Sequence, residues 1–410
     1  MRGLLISIAF PPKNDPECIQ TARMFKFLSK DPNITWDVVT AKPPILNMPE
    51  DRTLMDYDNG YEQKVEIPIK ENRYLNFIQR KICSTCMMNP DSKKQFIAGF
   101  ESLIRTLRIT PDFVYSRSFP MSSAYLAHKV SIHFGIPWFM HMSDPWLVNP
   151  MHTYSGELYK KLSRIEHRFF KQARFISFTS ENTRKLYQKT YPVFSHKMGL
   201  VPNVFDDDLV SSRAWRKKRK LIFTYVGSLA VGRKVDFLLE NVTKWIDNHA
   251  EAESKVEFLF YGSLDRPNRK LFRKYKHKAI KHNGRITYKA AMQAILDADV
   301  LMTMDAVTDE DKAVFFPSKL LDYAHGGAPV LAVAQPDSPT SEWVNQQNGM
   351  LVPHHDISSL HQALDKCWNA WNSANDQFFA KRTAPAYYSA RHQAAEYTRN
   401  IIEMMSGDGG

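Results

Sequence analysis

The chain predicts an α/β protein built as two doubly wound, Rossmann-like domains facing a central cleft. Three observations carry that expectation. At 410 residues the chain exceeds what a single hydrophobic core usually serves. Short apolar runs of strand length alternate with longer amphipathic runs of helix length, the pattern of βαβ units around a parallel sheet. The alternation breaks at Asp206-Asp207-Asp208 and the basic run 213–220, then restarts beyond them. The expected divisions are 1–207 for the first domain, 208–220 for an exposed basic linker and 221–385 for the second domain. The stretch 386–405 has the spacing of a terminal helix that packs back on the first domain.

The elements follow in order. Residues 1–10 form an apolar strand closed by Pro11-Pro12, too short to read as a signal peptide. Residues 17–29 place Ile19, Ala22 and Phe25 at helical spacing, and 36–41 supply the next strand. Between 42 and 94 the pattern weakens. The run 73–82 there mixes aromatic and basic residues, as does a helix packed on one side or a segment lying in a lipid headgroup layer. Regular order returns with a helix at 96–107, strands at 113–115, 138–140 and 175–178, and helices at 122–134 and 159–173. A further helix opens at Thr179-Ser180-Glu181-Asn182, and Gly199-Leu200-Val201-Pro202-Asn203-Val204 closes the first half. In the second half, strands are expected at 221–226, 256–261, 286–288, 300–304 and 329–333, with a helix at 235–248. Pro317 and Ser318 suit a helix start, with Ser318 as cap, and Gly326-Gly327 suits a helix end at positive φ.

The net charge of +12 means attraction to something anionic: nucleic acid, lipid headgroups or a phosphorylated substrate. No nucleic-acid-binding signature accompanies the basic run, so no nucleic-acid partner is expected. No apolar run reaches the roughly 18 residues that a membrane span requires. Cys18, Cys83, Cys86 and Cys367 are too few and too unevenly spaced for a disulfide framework, which fits a reducing cytoplasm. Cys83 and Cys86 have the spacing of half a zinc site with no second pair, so no metal is expected.

In a doubly wound sheet the loops past the strands' carboxyl ends hold the ligand. That rule selects Lys13, Asn14 and Glu17 after the first strand, and His141 and Asp144 after the strand at 138–140. A histidine so placed serves equally well as a hydrogen-bonded core group. The loop after the first strand lacks a glycine-rich dinucleotide fingerprint, which disfavours NAD. In the second half, Gly227 lets the backbone approach a ligand, and Arg233 and Lys234 place two cations at the next helix start. Ser318 and Lys319 stand at another helix mouth, and Asp322 lies about one turn further along the same face, a spacing suited to a diphosphate and its ribose.

Phe10-Pro11-Pro12, Gly199-Leu200-Val201-Pro202-Asn203, Tyr225-Val226-Gly227-Ser228 through Arg233-Lys234, Pro317-Ser318-Lys319 through Pro329-Val330-Leu331-Ala332, and Asn348-Gly349-Met350-Leu351-Val352 occur in this order over most of the chain. With them the chain resembles a retaining, nucleotide-sugar-dependent glycosyltransferase of the GT-B fold, most like glycosyltransferase family 4. It departs from that pattern at Ser228, where the family commonly has Arg, and at its paired glutamates, whose places hold Val314 and Asp322. Asp309, Glu310 and Asp311 lie just upstream of Val314.

The resemblance implies that Gly227, Ser228, Arg233, Lys234, Ser318 and Lys319 hold the phosphates of a nucleotide-diphosphate sugar, with Asp322 on the ribose. It implies that His141 and Asp144 face the sugar and that Lys13, Asn14 and Glu17 lie on the acceptor side. Transfer would need neither metal nor cofactor and would retain the anomeric configuration. The acceptor would be a growing glycan, lipid-linked at the inner face of the cytoplasmic membrane, with peripheral contact to an anionic lipid surface. A soluble acceptor, a nucleotide-sugar epimerase of the same fold, and a non-catalytic scaffold binding membrane or polyanions stay open.

Overall fold

The computed structural model describes residues 1–71, 74, 90–149, 154–211, 214–230, 232–306 and 316–407. Cys83, Cys86, Asp309, Glu310, Asp311, Val314 and, Tyr74 apart, the run 73–82 lie outside them. The chain forms two compact units, residues 1–204 with 387–410, and residues 205–386.

The first unit is a seven-stranded parallel sheet. Its strands are β1 (Arg2–Ile6), β2 (Thr35–Lys42), β3 (Gln63–Pro68), β4 (Phe113–Ser118), β5 (Trp138–Met142), β6 (Phe175–Phe178) and β7 (Met198–Leu200). They stand in the order β3-β2-β1-β4-β5-β6-β7. Because helices cover both faces, the strands are apolar nearly throughout: Leu4, Leu5 and Ile6 of β1 are all buried. β4 carries the longest buried polar run, Ser116, Arg117 and Ser118. The helix Ala390–Ser406 belongs to this unit, where Ala390, Ala394, Tyr397 and Ile401 join the core under Leu5, Phe25 and Trp36.

The second unit is a six-stranded parallel sheet of β8 (Leu221–Val226), β9 (Val256–Tyr261), β10 (Ile280–His282), β11 (Val300–Met304), β12 (Val330–Val333) and β13 (Met350–Val352). Their order is β10-β9-β8-β11-β12-β13. Residues 214–220 lie within this unit. Trp215 stacks on Phe379 with ring centroids 4.4 Å apart and donates from Nε1 to Asp299 Oδ1 at 2.8 Å. Lys218 and Lys220 pair with Asp299 and Glu257 at 3.0 and 2.8 Å.

Three local expectations are corrected. Residues 286–288 are not a strand: the strand is β10, and Thr287 caps the helix Tyr288–Asp297 by accepting from Ala290 N at 3.3 Å. The expected helix 96–107 is broken at Gly99 into Gln95–Ala98 and Phe100–Thr106. Ser318 does not cap the helix Lys319–Gly326 with its side chain, because it already has helical dihedrals (φ −57°, ψ −24°) and a capping hydroxyl needs an extended residue. The helix does end as expected, with Gly327 at φ 64°. Among the described residues no helix is long and apolar enough to cross a membrane.

Candidate active site

Each sheet reverses its strand order at the centre, between β1 and β4 in the first unit and between β8 and β11 in the second. Loops leaving such a pair of strands diverge to opposite faces and open a crevice at the carboxyl ends.

In the second unit, Gly227 follows β8 directly, and its N–H donates to Tyr261 O at 2.9 Å, drawing the loop towards the end of β9. Gly262, at φ 134°, makes that approach possible, since a Cβ there would collide with the Gly227 carbonyl. Ser228 Oγ and Ser263 Oγ join the two loops at 2.7 Å. Asn268, buried on the helix Arg266–Lys274, then fixes the rest of the loop at three backbone points. Its Nδ2 donates to Leu229 O and Arg233 O at 3.1 and 2.9 Å, and its Oδ1 accepts from Val235 N at 3.2 Å.

The helix Lys319–Gly326 is held against the same crevice by Tyr323. The phenol accepts from Val226 N at 3.2 Å and donates to Met302 O at 2.7 Å, linking the helix to β8 and β11. Lys319 is thereby placed at the crevice mouth. Its Nζ donates to Tyr225 OH at 2.7 Å and lies 4.1 Å from the centre of that ring. A Cβ on Gly227 would stand 3.6 Å from the same Nζ. Burial, reinforced by the Arg233 charge, drives the Lys319 ammonium well below its ordinary pKa, while Asp305 and Asp322 pull it back.

Asp305 is the first residue past β11. Burial raises its carboxyl, and the charges of Lys319 and Arg233 oppose that rise. Arg233 Nε is buried without a hydrogen-bond partner among the described residues. Two crowded cations, one of them desolvated, form a field that an anion would complete. A diphosphate carries the charge to do so, and the same field would stabilise it as a leaving group.

Of the residues expected here, Gly227, Ser228, Arg233, Lys319 and Asp322 come together at this crevice. Lys234 is exposed, and Ser318 stands one residue before the helix. Tyr225, Asn268, Asp305 and Tyr323 belong to the site and were not expected. Asp305 has a readable signal, a polar residue directly after the apolar run Val300–Met304.

The first unit's crevice holds a buried polar cluster. Arg117 Nε donates to Glu17 Oε1 at 3.0 Å, and Ser143 Oγ donates to Glu17 Oε2. Burial pushes the Glu17 carboxyl up to about 7 against the pull of Arg117 and Ser143. His141 lies inside β5, in register with Arg117 and Ser177, and is completely buried. Its Nδ1 meets Ser177 Oγ at 3.0 Å, and Nε2 has no partner among the described residues. Burial first, and the Arg117 charge second, hold this imidazole neutral. Asp144, just past β5, is exposed.

Lys13 is fully buried, donating to Thr40 Oγ1 at 3.2 Å and Ala41 O at 2.9 Å, and burial lowers it to about 8. Asn14 Nδ2 donates to Asp51 Oδ2 at 2.8 Å. These two side chains pin the loop after β1, and Glu17 is the member of the expected trio that reaches the polar cluster.

Residues 220–370 match the family described as Glycosyl transferases group 1, so the second unit's crevice lies inside a glycosyltransferase group 1 domain. No curated protein matches the chain in sequence. Solved structures match it nearly end to end. Sucrose-phosphate synthase from Thermosynechococcus elongatus is similar at 15% identity and TM-score 0.64, covering 99% of both chains. HepE of Anabaena, solved in complex with UDP, is similar at 12% identity and TM-score 0.58, again over 99% of both. The UDP-GlcNAc 2-epimerase from Neisseria meningitidis bound to UDP-GlcNAc is similar at 12% identity and TM-score 0.55, over 98% of this chain and 100% of that one. At such identities the likeness shows the fold, the paired parallel-sheet architecture of GT-B enzymes.

Proposed function

We propose that this protein transfers a hexose-type sugar from a nucleoside-diphosphate donor, held on the second unit, to a growing glycan that is lipid-linked at the inner face of the cytoplasmic membrane. The observation that carries the reading is the crevice between β8 and β11, where Lys319 approaches Gly227 and feels the charges of Arg233 and Asp305, inside the matched glycosyltransferase segment. Similar structures holding UDP or UDP-GlcNAc support a nucleotide sugar as the donor. In this reading Lys319 and Arg233 take the diphosphate, Ser228 lines its path, and Asp322 takes the ribose.

The means of stabilising a departing diphosphate are cationic side chains and a helix mouth. The reading therefore assigns transfer without a metal ion and, with the resemblance to family 4, retention at the anomeric carbon. Exposed Asp144 is the first unit's candidate for touching substrate. Buried His141 can act only by positioning its neighbours.

Similarity to a 2-epimerase favours one second reading, isomerisation of the donor's own sugar. A thermal-shift screen of nucleoside diphosphates and nucleotide sugars, followed by product analysis, tests both. The transferase reading expects a stabilising nucleoside diphosphate and a new glycosidic product. An isomerised donor sugar with no acceptor requirement would replace it with the epimerase, and stabilisation by polyanions alone would remove both.

A further inference from the structure

The helices Gln95–Ala98, Phe100–Thr106, Ser122–Phe134 and Gly156–Gln172 of the first unit line a cleft of about 810 Å³. Its walls are rich in rings. Phe100, Tyr125 and Phe169 line it, with Tyr125 edge-on to Phe169 at 5.5 Å between centroids and His133 edge-on to Phe100 at 5.6 Å. Among the described residues that line it stand three cations, Lys94, Lys129 and Arg168, and no carboxylate. Lys129 Nζ lies 4.2 Å from the centre of the Phe100 ring, and neither it nor Arg168 forms an ion pair among the described residues. His128 also lines the cleft. It is 6% exposed, and its Nε2 is buried with no hydrogen-bond partner among the described residues. Burial, and then the Arg168 charge, lower this imidazole to about 4. The ring is therefore neutral, and with its hydrogen on Nε2 it is a donor that lacks an acceptor.

We propose that this cleft binds a small aromatic anion, a rigid body of rings bearing one carboxylate, sulfonate or phosphate group. Its volume falls within the roughly 300–1,000 Å³ usual for small-molecule sites. Ring walls favour a ring, because edge-to-face and offset contacts add to burial, and a rigid body gives up little rotamer freedom where an alkyl chain gives up much. The charge of the lining selects an anion, and the buried His128 nitrogen offers that anion's oxygen a partner screened from water. A second cleft of the first unit, about 760 Å³ beside Arg174 and Lys197, lacks these features. Lys197 Nζ is engaged there by Lys171 O and Ala173 O at 2.9 Å each, and Arg174 by Met404 O at 3.1 Å. No buried side-chain atom of that lining is without a partner among the described residues.

The cleft shares the helix Gly156–Gln172 with Glu166. Ile165 and Phe169 line the cleft, while Glu166 accepts from Tyr187 OH at 2.9 Å, and that phenol accepts from Trp146 N at 2.8 Å. An occupant therefore packs against the helix that braces the loop past β5, the loop that carries Asp144. The assignment of this cleft does not rest on the transferase reading.

The test is fluorescence titration of the full-length protein with anilinonaphthalene sulfonate, a rigid aromatic monoanion. Saturable binding is expected, with displacement by naphthalene carboxylate. Inorganic sulfate, which lacks the rings, and naphthylmethylammonium, which reverses the charge, should not displace it. Scanning calorimetry should show the first unit's transition raised by the probe and the second unit's unmoved. Ala98→Trp puts a bulky side chain at an exposed position of the lining and should abolish binding. Its unaltered unfolding without probe would distinguish a filled cleft from a misfolded first unit. Lys94→Glu with Arg168→Glu, both exposed, should weaken binding about tenfold, and His128→Phe, which keeps a ring and removes the nitrogen, about fivefold. Wild-type binding weaker than about a millimolar, equal displacement by naphthylmethylammonium, full binding by Ala98→Trp, or displacement by a nucleoside diphosphate would each overturn the proposal. Failure of the donor site would appear separately, as absent nucleoside-diphosphate binding.

Discussion

Lys319 and Lys234 are both cations near the same loop, and their settings separate them. Lys319 donates to Tyr225 and lies desolvated in the field of Arg233 and Asp305, whereas Lys234 is exposed to water. A desolvated ammonium meeting a phosphate forms a charge-assisted bond worth about 1.5–3 kcal/mol, and a solvated one contributes less than about 1. Lys319→Met should therefore weaken nucleoside-diphosphate binding roughly ten- to hundredfold by calorimetry. Lys234→Ala should change it by about fivefold or less, and the reverse ranking would remove Lys319 from the phosphate site. The sequence named Lys319 through its place at a helix mouth but hid Tyr225, because nothing in a strand's apolar alternation says that a phenol will carry a lysine. A second residue, Glu166, sets a pH dependence. It accepts from Tyr187 and Tyr191 at 2.9 and 2.8 Å, and burial nevertheless raises it from 4.5 to about 7. The folded state thus holds the proton more tightly than the unfolded chain. The stabilisation is fully present below the unfolded value and is lost as pH rises through the folded one. The first unit should lose up to about 3 kcal/mol between pH 5 and 8, with Glu17 acting in the same direction. Glu166→Gln, which cannot ionise, should flatten that slope in urea unfolding. An unaltered slope would show that Glu166 is ionised throughout.

The loop between β8 and its following helix owes its shape to another element, the helix Arg266–Lys274, through Asn268. Asn268→Ala removes three backbone bonds at once and leaves buried Leu229 and Arg233 carbonyls to find other donors. A loss of about 2–3 kcal/mol in the second unit's stability follows, together with weaker nucleoside-diphosphate binding, because Arg233 is no longer held. If binding were untouched while stability fell, the loop would have to be ordered by something else. Most elements could be read from periodicity, and those that could not failed for definite reasons. Residues 286–288 have β-branched and aromatic side chains, and propensity chose a strand. Capping won, because Thr287 satisfies the first turn of a helix whose Tyr288 is buried. β3 escaped notice because it is an edge strand with Val65 and Ile67 as its buried pair, between polar neighbours. Asn268 was invisible because its role spans 33 to 39 residues of sequence, a distance over which no local pattern speaks.

At the scale of the molecule, the chain leaves the first unit at 204, builds the whole second unit, and returns at 387. The returning helix is a structural part of the first unit. Tyr397 lies 5.0 Å from Tyr115 and 6.3 Å from Phe175, and Arg391 stands 4.9 Å from the Phe27 ring centre. Tyr397 and Ile401 are buried with Ala390 and Ala394 in the core that also contains Trp36. Large apolar side chains buried this way contribute about 1.5–3 kcal/mol each, and a domain's total stability is about 5–15 kcal/mol. Removing residues 387–410 therefore takes away a sum comparable with the first unit's whole margin, while every residue of the β8 to β11 crevice is kept. Scanning calorimetry of the truncated chain should show the first unit's transition lost or lowered by more than about 10 °C, with the second unit's transition in place and still raised by a nucleoside diphosphate. If both transitions stayed where they are in the full chain, the terminal helix would be a passenger on the first unit, and its buried tyrosine would need another explanation.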